Sequence, residues 1–235
     1  MLGWDGDLPS PEIRLIEDMR HVLAAASCRE SGPAYLTYRD LARNDADWHW
    51  LHRHNLRFDI TAIPPRDICG ECAKTHGHFH PKNLSGTGYP EIFEILDGEA
   101  HFLLQTRLLN DVALIAGSAG DMVIIPPDYG HVMINPSKET TLAVAHIVST
   151  AFNSDYREYI SRRGGAYYEM CSGSLALNPR YQQVPPVRFL SPGCGRGEHR
   201  ICRGPLYSLI GNESALAFLN HPEHFLPVFA VLLKG

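Results

Sequence analysis

The chain has 235 residues, room for one large β domain or a domain with a small appendage. Its 44% hydrophobic and 20% charged residues are those of a globular protein with a buried core, and its net charge of −5 excludes a general nucleic-acid binder, which would carry a basic face. A mild negative charge does not exclude a small anionic substrate, because local donors can override it. No run reaches the roughly 18 apolar residues of a membrane span. The acidic start Met1–Asp7 lacks the basic and then apolar regions of a secretory signal. Six cysteines are too few for a disulfide scaffold, so reduced thiols and a cytoplasmic location are expected.

In chain order, Ser10-Pro11-Glu12 reads as a helix start, with Ser as N-cap and Pro at the first position. Ile13, Ile16, Met19 and Leu23 would form its apolar stripe, and Ser31-Gly32-Pro33 would end it. From Tyr35 short apolar runs alternate with turn residues: Tyr35–Tyr38, Phe58–Ile63, Glu91–Ile95, His101–Gln105, Val112–Ile115, Met122–Ile125, His131–Ile134 and Leu142–Val148. Each has strand length, and such spacing predicts a β-barrel or jelly roll. Asp40–His54 is expected as a helix or a long polar connection. After about Tyr168 come Asn178-Pro179, Pro185-Pro186, Ser191-Pro192-Gly193 and Gly195-Arg196-Gly197, which predict an irregular stretch. A helix is expected near Asn212 with Leu216, Phe218 and Leu219 buried. The apolar tail Phe225–Leu233 is expected to pack on the barrel or to make a subunit contact. The division is an N-terminal segment over 1–34, a barrel over 35–168 and a C-terminal extension over 169–235.

The chemistry is carried by histidines. His78 and His80 stand two residues apart, so on a strand both rings project from one face. Glu91 follows, with Gly98 seven residues on. Then comes Gly120-Asp121-Met122-Val123-Ile124-Ile125-Pro126-Pro127-Asp128-Tyr129-Gly130-His131, with Asn135 four residues later. The His-x-His, the Glu-x6-Gly and the Gly-x5-Pro-x4-His-x3-Asn resemble the two cupin motifs. In cupins the residues matching His78, His80, Glu91 and His131 bind one metal inside a β-barrel. The resemblance narrows over Thr75–Lys82, Glu91–Phe93, Leu103–Thr106 and Ile125–His131, which look like the archaeal-type cupin phosphoglucose isomerase family. Arg14–Met19 and Tyr35–Tyr38 are similar to it more weakly.

The resemblance implies an all-β-dominated cupin jelly-roll barrel with helical or irregular extensions. It implies interconversion of glucose 6-phosphate and fructose 6-phosphate, in glycolysis and gluconeogenesis, by a homodimer with one divalent metal per subunit. Three imidazoles and a carboxylate suit Fe²⁺, the first expectation, and also Mn²⁺, Ni²⁺ or Zn²⁺. The same resemblance makes Glu91 a ligand, sets Tyr38 and Tyr156 beside the sugar, and places the phosphate near Thr61, Thr75 and Gly77; Glu91 is also placed to act as the base, and Lys82 would add a charge. The chain departs from the family pattern at His76 (usually Lys), Phe93 (usually Tyr), Asp128 (usually aromatic) and Ser154 (usually His). Two rival readings remain on these residues: a mononuclear iron cupin that activates dioxygen, and a sugar-phosphate-binding cupin without turnover.

Other clusters have plainer readings. His49, His52 and His54 fit no single helix face and are expected as surface. Cys69-Gly70-Glu71-Cys72 has no second C-x-x-C to complete a zinc site, and Cys171, Cys194 and Cys202 are irregularly spaced, so ordinary thiols are expected.

Overall fold

The computed structural model describes residues 3–193 and 204–233. In chain order its strands are β1 (Glu12–Leu15), β2 (Pro33–Tyr38), β3 (Leu56–Ile63), β4 (Asp67–Ile68), β5 (Glu71–Cys72), β6 (Glu91–Asp97) and β7 (Glu99–Thr106). Then follow β8 (Val112–Ser118), β9 (Met122–Ile125), β10 (Tyr129–Ile134), β11 (Leu142–Ser149), β12 (Tyr167–Glu169), β13 (Leu175–Leu177) and β14 (Arg188–Leu190). The helices are short: α1 (Ile16–Met19), α2 (Asp45–Arg53), α3 (Arg157–Arg162), α4 (Glu213–Leu216) and α5 (Leu226–Leu232). All eight predicted apolar runs lie within strands.

Six strands form one sheet in the order β1-β2-β3-β11-β6-β9, and four form a second in the order β10-β7-β8-β14. Every neighbouring pair is antiparallel except β14 beside β8. The sheets face each other across one apolar cluster, to which Ile63, Phe93, Ile95 and Val144 come from the first and Phe102, Leu104, Ile115 and Met133 from the second. This is the two-sheet jelly roll that the cupin motifs imply.

The strands read as almost continuous apolar runs because their outer faces are covered too. Phe58, Ile60, Ile92 and Ile147 turn away from the central cluster and pack against Leu216, Phe218, Leu219 and Phe229 of the C-terminal region. Leu103, Leu114 and Val132 on the other sheet pack against Phe79, Tyr159, Ala166 and Tyr181. The helix expected near Asn212 is present as α4, with the Asn212 side chain accepting from the Ala215 N–H. The apolar tail forms α5 and buries Phe229. Within 40–54 the helix is α2, capped by Asn44, whose side chain accepts from the Asp47 N–H. Such a cap is worth about 1 kcal/mol.

Three expectations are corrected. The helix predicted from Glu12 is instead an edge strand: Glu12–Leu15 pairs with β2, and Ile13 is exposed. Ile16, Met19 and Leu23 are buried as predicted, but over one short helical turn and the loop after it. Pairing at an open sheet edge outweighs the local cap, and Pro11 just before the strand costs no ladder bond. The irregular stretch contains three short strands, β12 to β14. Cys28 and Cys69 form a disulfide, not thiols, because the loop after α1 folds over the β4–β5 turn and brings their Cα atoms to 5.8 Å. Cys72 and Cys171 are free. Gly195-Arg196-Gly197, Cys194 and Cys202 lie outside the described residues. Among the described residues no helix is long and apolar enough to cross a membrane.

Candidate metal centre

The four expected ligands meet between the sheets. His78 and His131 are cross-strand partners: the His78 N–H donates to the His131 carbonyl at 3.3 Å and the His131 N–H to the His78 carbonyl at 3.0 Å. Period-two alternation then turns His78 and His80 inward and Phe79 outward, where it packs on Tyr159. Glu91 opens β6 on the opposite sheet and faces them. The candidate ligand atoms all lie within 4.8 Å of one another. His78 Nε2 is 3.1 Å from His80 Nε2, and Glu91 Oε2 is 3.4 Å from His80 Nε2 and 3.5 Å from His131 Nε2.

Protonation states fit a cation. His80 Nδ1–H donates to the Tyr89 carbonyl at 2.9 Å, which leaves the Nε2 lone pair free for the cluster. Burial, the largest influence on each, pushes His78 well below the ordinary imidazole range, lowers His80, and pushes His131 down to about 3. All three are therefore neutral at pH 7. Burial alone would raise the Glu91 carboxyl. The hydrogen bond from His146 Nδ1, at 2.7 Å, and the surrounding imidazoles outweigh it and hold Glu91 ionised. Three neutral nitrogens and one carboxylate oxygen are the donor set of a divalent transition ion.

The cluster sits at the floor of a cavity of about 230 Å³. Thr61, Thr75 and Tyr156 line it, with the Tyr156 ring 5.3 Å from that of His78. Tyr38 does not: it packs on the apolar cluster behind the six-stranded sheet, and its neighbours Tyr35 and Thr37 line the cavity. The reason is register. Thr37 pairs with Thr61, so the two share a face, and Tyr38 takes the other. Gly77 lies below the wall, against the Tyr159 ring. Lys82 points outward and pairs with Asp128 at 3.6 Å, its side chain 63% exposed. Neither contributes to the cavity lining. Of the departures from the family pattern, His76, Phe93 and Ser154 line the cavity and Asp128 does not. The α2 histidines lie outside it, where His52 stacks on Trp48 and bonds Asp40.

Sequence reasoning passed over His146, and over Arg57 and Asp59 in the polar row that Thr61 completes. His146 Nδ1 holds Glu91 Oε1, and its Nε2 lies 3.2 Å from Thr61 Oγ1, itself 3.3 Å from Thr37 Oγ1. A row of polar side chains alternating with Phe58, Ile60 and Ala62 was the available signal. In a strand that is otherwise apolar it marks the face turned to the site.

The chain overlaps oxalate oxidase at 17% identity and a TM-score of 0.40, over 52% of this chain and 55% of that one. A Bacillus subtilis oxalate decarboxylase overlaps at 16% identity and a TM-score of 0.38, over 55% of this chain and 29% of that one. A cupin-2 domain from Rhodospirillum rubrum overlaps at 13% identity and a TM-score of 0.35, over 51% of this chain and 62% of that one. The chain thus spans about half the length of the oxalate oxidase it overlaps. No curated protein sequence matches it. The family model for glucose-6-phosphate isomerase matches residues 13–186, a span that holds all four candidate ligands, His146 and the cavity wall, and on that match the chain belongs to the cupin-type glucose-6-phosphate isomerase family.

Proposed function

We propose that this protein is a metal-dependent aldose–ketose isomerase that interconverts glucose 6-phosphate and fructose 6-phosphate. The observation that carries the reading is the convergence of His78, His80, Glu91 and His131, in metal-ready protonation states, at the floor of a cavity lined by hydroxyls. These four residues would hold one divalent cation, with Fe²⁺ proposed and Mn²⁺, Ni²⁺ or Zn²⁺ as substitutes. Bound there, it supplies a Lewis acid for the C1 and C2 oxygens of an open-chain sugar. His146 fixes Glu91 Oε1, so Oε2 is the oxygen turned to the imidazoles. Glu91 is also placed to take a proton from an adjacent sugar carbon, though a carboxylate held this acidic is a weak base. Tyr156 stands at the cavity wall within reach of sugar hydroxyls. Phe93 stacks on His146 and keeps water from that side. A homodimer completes the proposal.

The test is to strip the metal, restore Fe²⁺, Mn²⁺, Ni²⁺ and Zn²⁺ singly, and follow fructose 6-phosphate conversion. Activity that returns with metal and is lost in His131→Ala is the expected result. Phe93 and Ser154 put groups without an acidic proton donor, or with a poor one, where the family has Tyr and His. That favours one rival, a binder without turnover. Tight sugar-phosphate binding with no conversion by any metal form would establish it, and oxygen uptake with an organic substrate would make the protein an oxygenase.

A further inference from the structure

The motif Cys69-Gly70-Glu71-Cys72 takes no part in the metal centre, and its two cysteines do not pair with each other. Cys69 is exposed on the β4–β5 turn and is bonded to Cys28, 41 residues earlier in the loop after α1. Cys28 is buried, so solvent reaches the bond through the Cys69 sulfur. Cys72 lies beside Cys171, and burial pushes both thiols above their ordinary range. A thiol kept protonated is a poor nucleophile, which disfavours exchange within the protein. A thiolate that opens the Cys28–Cys69 bond therefore comes from outside.

Little else closes the loop that this bond staples. From Ala24 to Ser31 no residue joins a sheet, and side chains make the ties to the chain beneath. The Ala24 N–H donates to Glu71 Oε2 at 2.8 Å, the Cys69 N–H to Glu30 Oε1 at 3.3 Å, and Arg66 Nη2 to the Ser31 carbonyl at 3.0 Å. A segment held in this way opens at lower cost than a strand in a ladder. Its state is passed on by Arg20, whose Nε and Nη2 donate to the carbonyls of Cys28 and Glu30 at 3.1 and 3.3 Å. The next residue is His21, and its Nε2 lies 2.9 Å from Nε2 of His76. His76 lines the metal cavity, with its ring edge-on to that of Tyr156 at 5.1 Å. Direct contacts thus run from the disulfide through Arg20 and His21 to the cavity wall.

We propose that Cys28–Cys69 is a thiol–disulfide exchange site through which an external dithiol loosens the cavity wall at His76 and weakens the hold on the sugar. A thiolate of the dithiol attacks Cys69 Sγ, and Cys28 leaves as a thiolate and takes a proton. The second thiol of the reductant then attacks its own sulfur in the mixed disulfide and releases Cys69. Two electrons and two protons pass to the protein, and the dithiol becomes a disulfide. The effect on the sugar rests on the isomerase reading; the effect on the wall does not. The test treats the full-length, Mn²⁺-loaded protein with dithiothreitol without denaturant, and alkylation followed by peptide mass is expected to find Cys28 and Cys69 as thiols. In the reduced protein diethyl pyrocarbonate is expected to label His76 about tenfold faster than in the oxidised protein. The KM for fructose 6-phosphate is expected to rise about three- to tenfold with kcat within about twofold. Reoxidation by a small organic disulfide restores both values in the same sample, which separates opening from unfolding. Cys28→Ser shows the reduced values under both conditions, and Cys171→Ser behaves as the parent. Two cysteines that stay unlabelled until denaturant is added, or equal His76 rates in the two states, overturn the proposal. A faster His76 with an unchanged KM overturns its control of the sugar. If neither state converts any sugar phosphate, the isomerase reading fails, and the His76 rates still decide the exchange site.

Discussion

At the scale of single residues, His146 sets the geometry of Glu91. With Oε1 held by Nδ1–H, the carboxylate has one oxygen left for the cluster and one orientation in which to offer it. Partners of this kind typically change metal affinity by 10–100-fold. His146→Leu is therefore expected to weaken Mn²⁺ binding by roughly that factor, by calorimetric titration, with the thermal midpoint of the apo protein as the check on its fold. Equal affinity in parent and variant would leave Glu91 positioned by the backbone alone. The four ligands were legible because motif spacing and strand parity both name them. His146 was not: a lone His inside Leu142–Val148 reads as a core residue, and only the register that sets it beside Phe93 and Asp59 reveals its role. Tyr38 was misplaced for the complementary reason. The tyrosines at 35 and 38 have opposite parity, and which of them turns inward depends on the pairing with β3, which no local pattern displays.

At the scale of elements, the site depends on how the His-x-His segment lies against β10. Phe79, between His78 and His80, packs its ring over Gly130, just before His131. A Cβ at Gly130 would stand 2.7 Å from that ring, and Phe79 is fully buried against Tyr159 with no room to retreat. Gly130→Ala is expected to destabilise the protein by about 1–3 kcal/mol, as overpacking does. Because the displaced ring sits between His78 and His80, metal affinity should fall along with the urea midpoint. A stability loss with metal affinity intact would show that the segment shifts as a rigid unit. Strand existence was the most legible level, since eight apolar runs bounded by turn residues all became strands. The edge strand β1 and the three-residue strands β12 to β14 were not. Their pairing partners are distant in sequence, and segments so short carry no periodicity of their own.

At the scale of the whole molecule, a sandwich that buries neutral histidines is sensitive to acid. Burial, the largest influence, pushes His76 down to about 4, helped by His21, Arg14 and Lys74 and opposed by the Gly77 carbonyl. An unfolded imidazole titrates near 6.5. Between those values the unfolded chain takes up a proton that the folded chain refuses, so stability falls as pH drops below about 6.5 and this contribution is level above it. His131 and the other buried ligands act in the same direction, but bound metal alters them. His76 lines the cavity without belonging to the ligand set, which makes it the residue on which to read the effect. In the metal-free protein the free energy of urea unfolding is expected to decline from pH 6.5 to pH 4.5. In His76→Gln the decline should be shallower by up to about 1.4 kcal/mol per pH unit, the slope carried by one proton. Parallel lines for parent and variant would mean that the folded protein accepts a proton on His76 as readily as the unfolded chain, by opening the cavity wall around His21 and Tyr156.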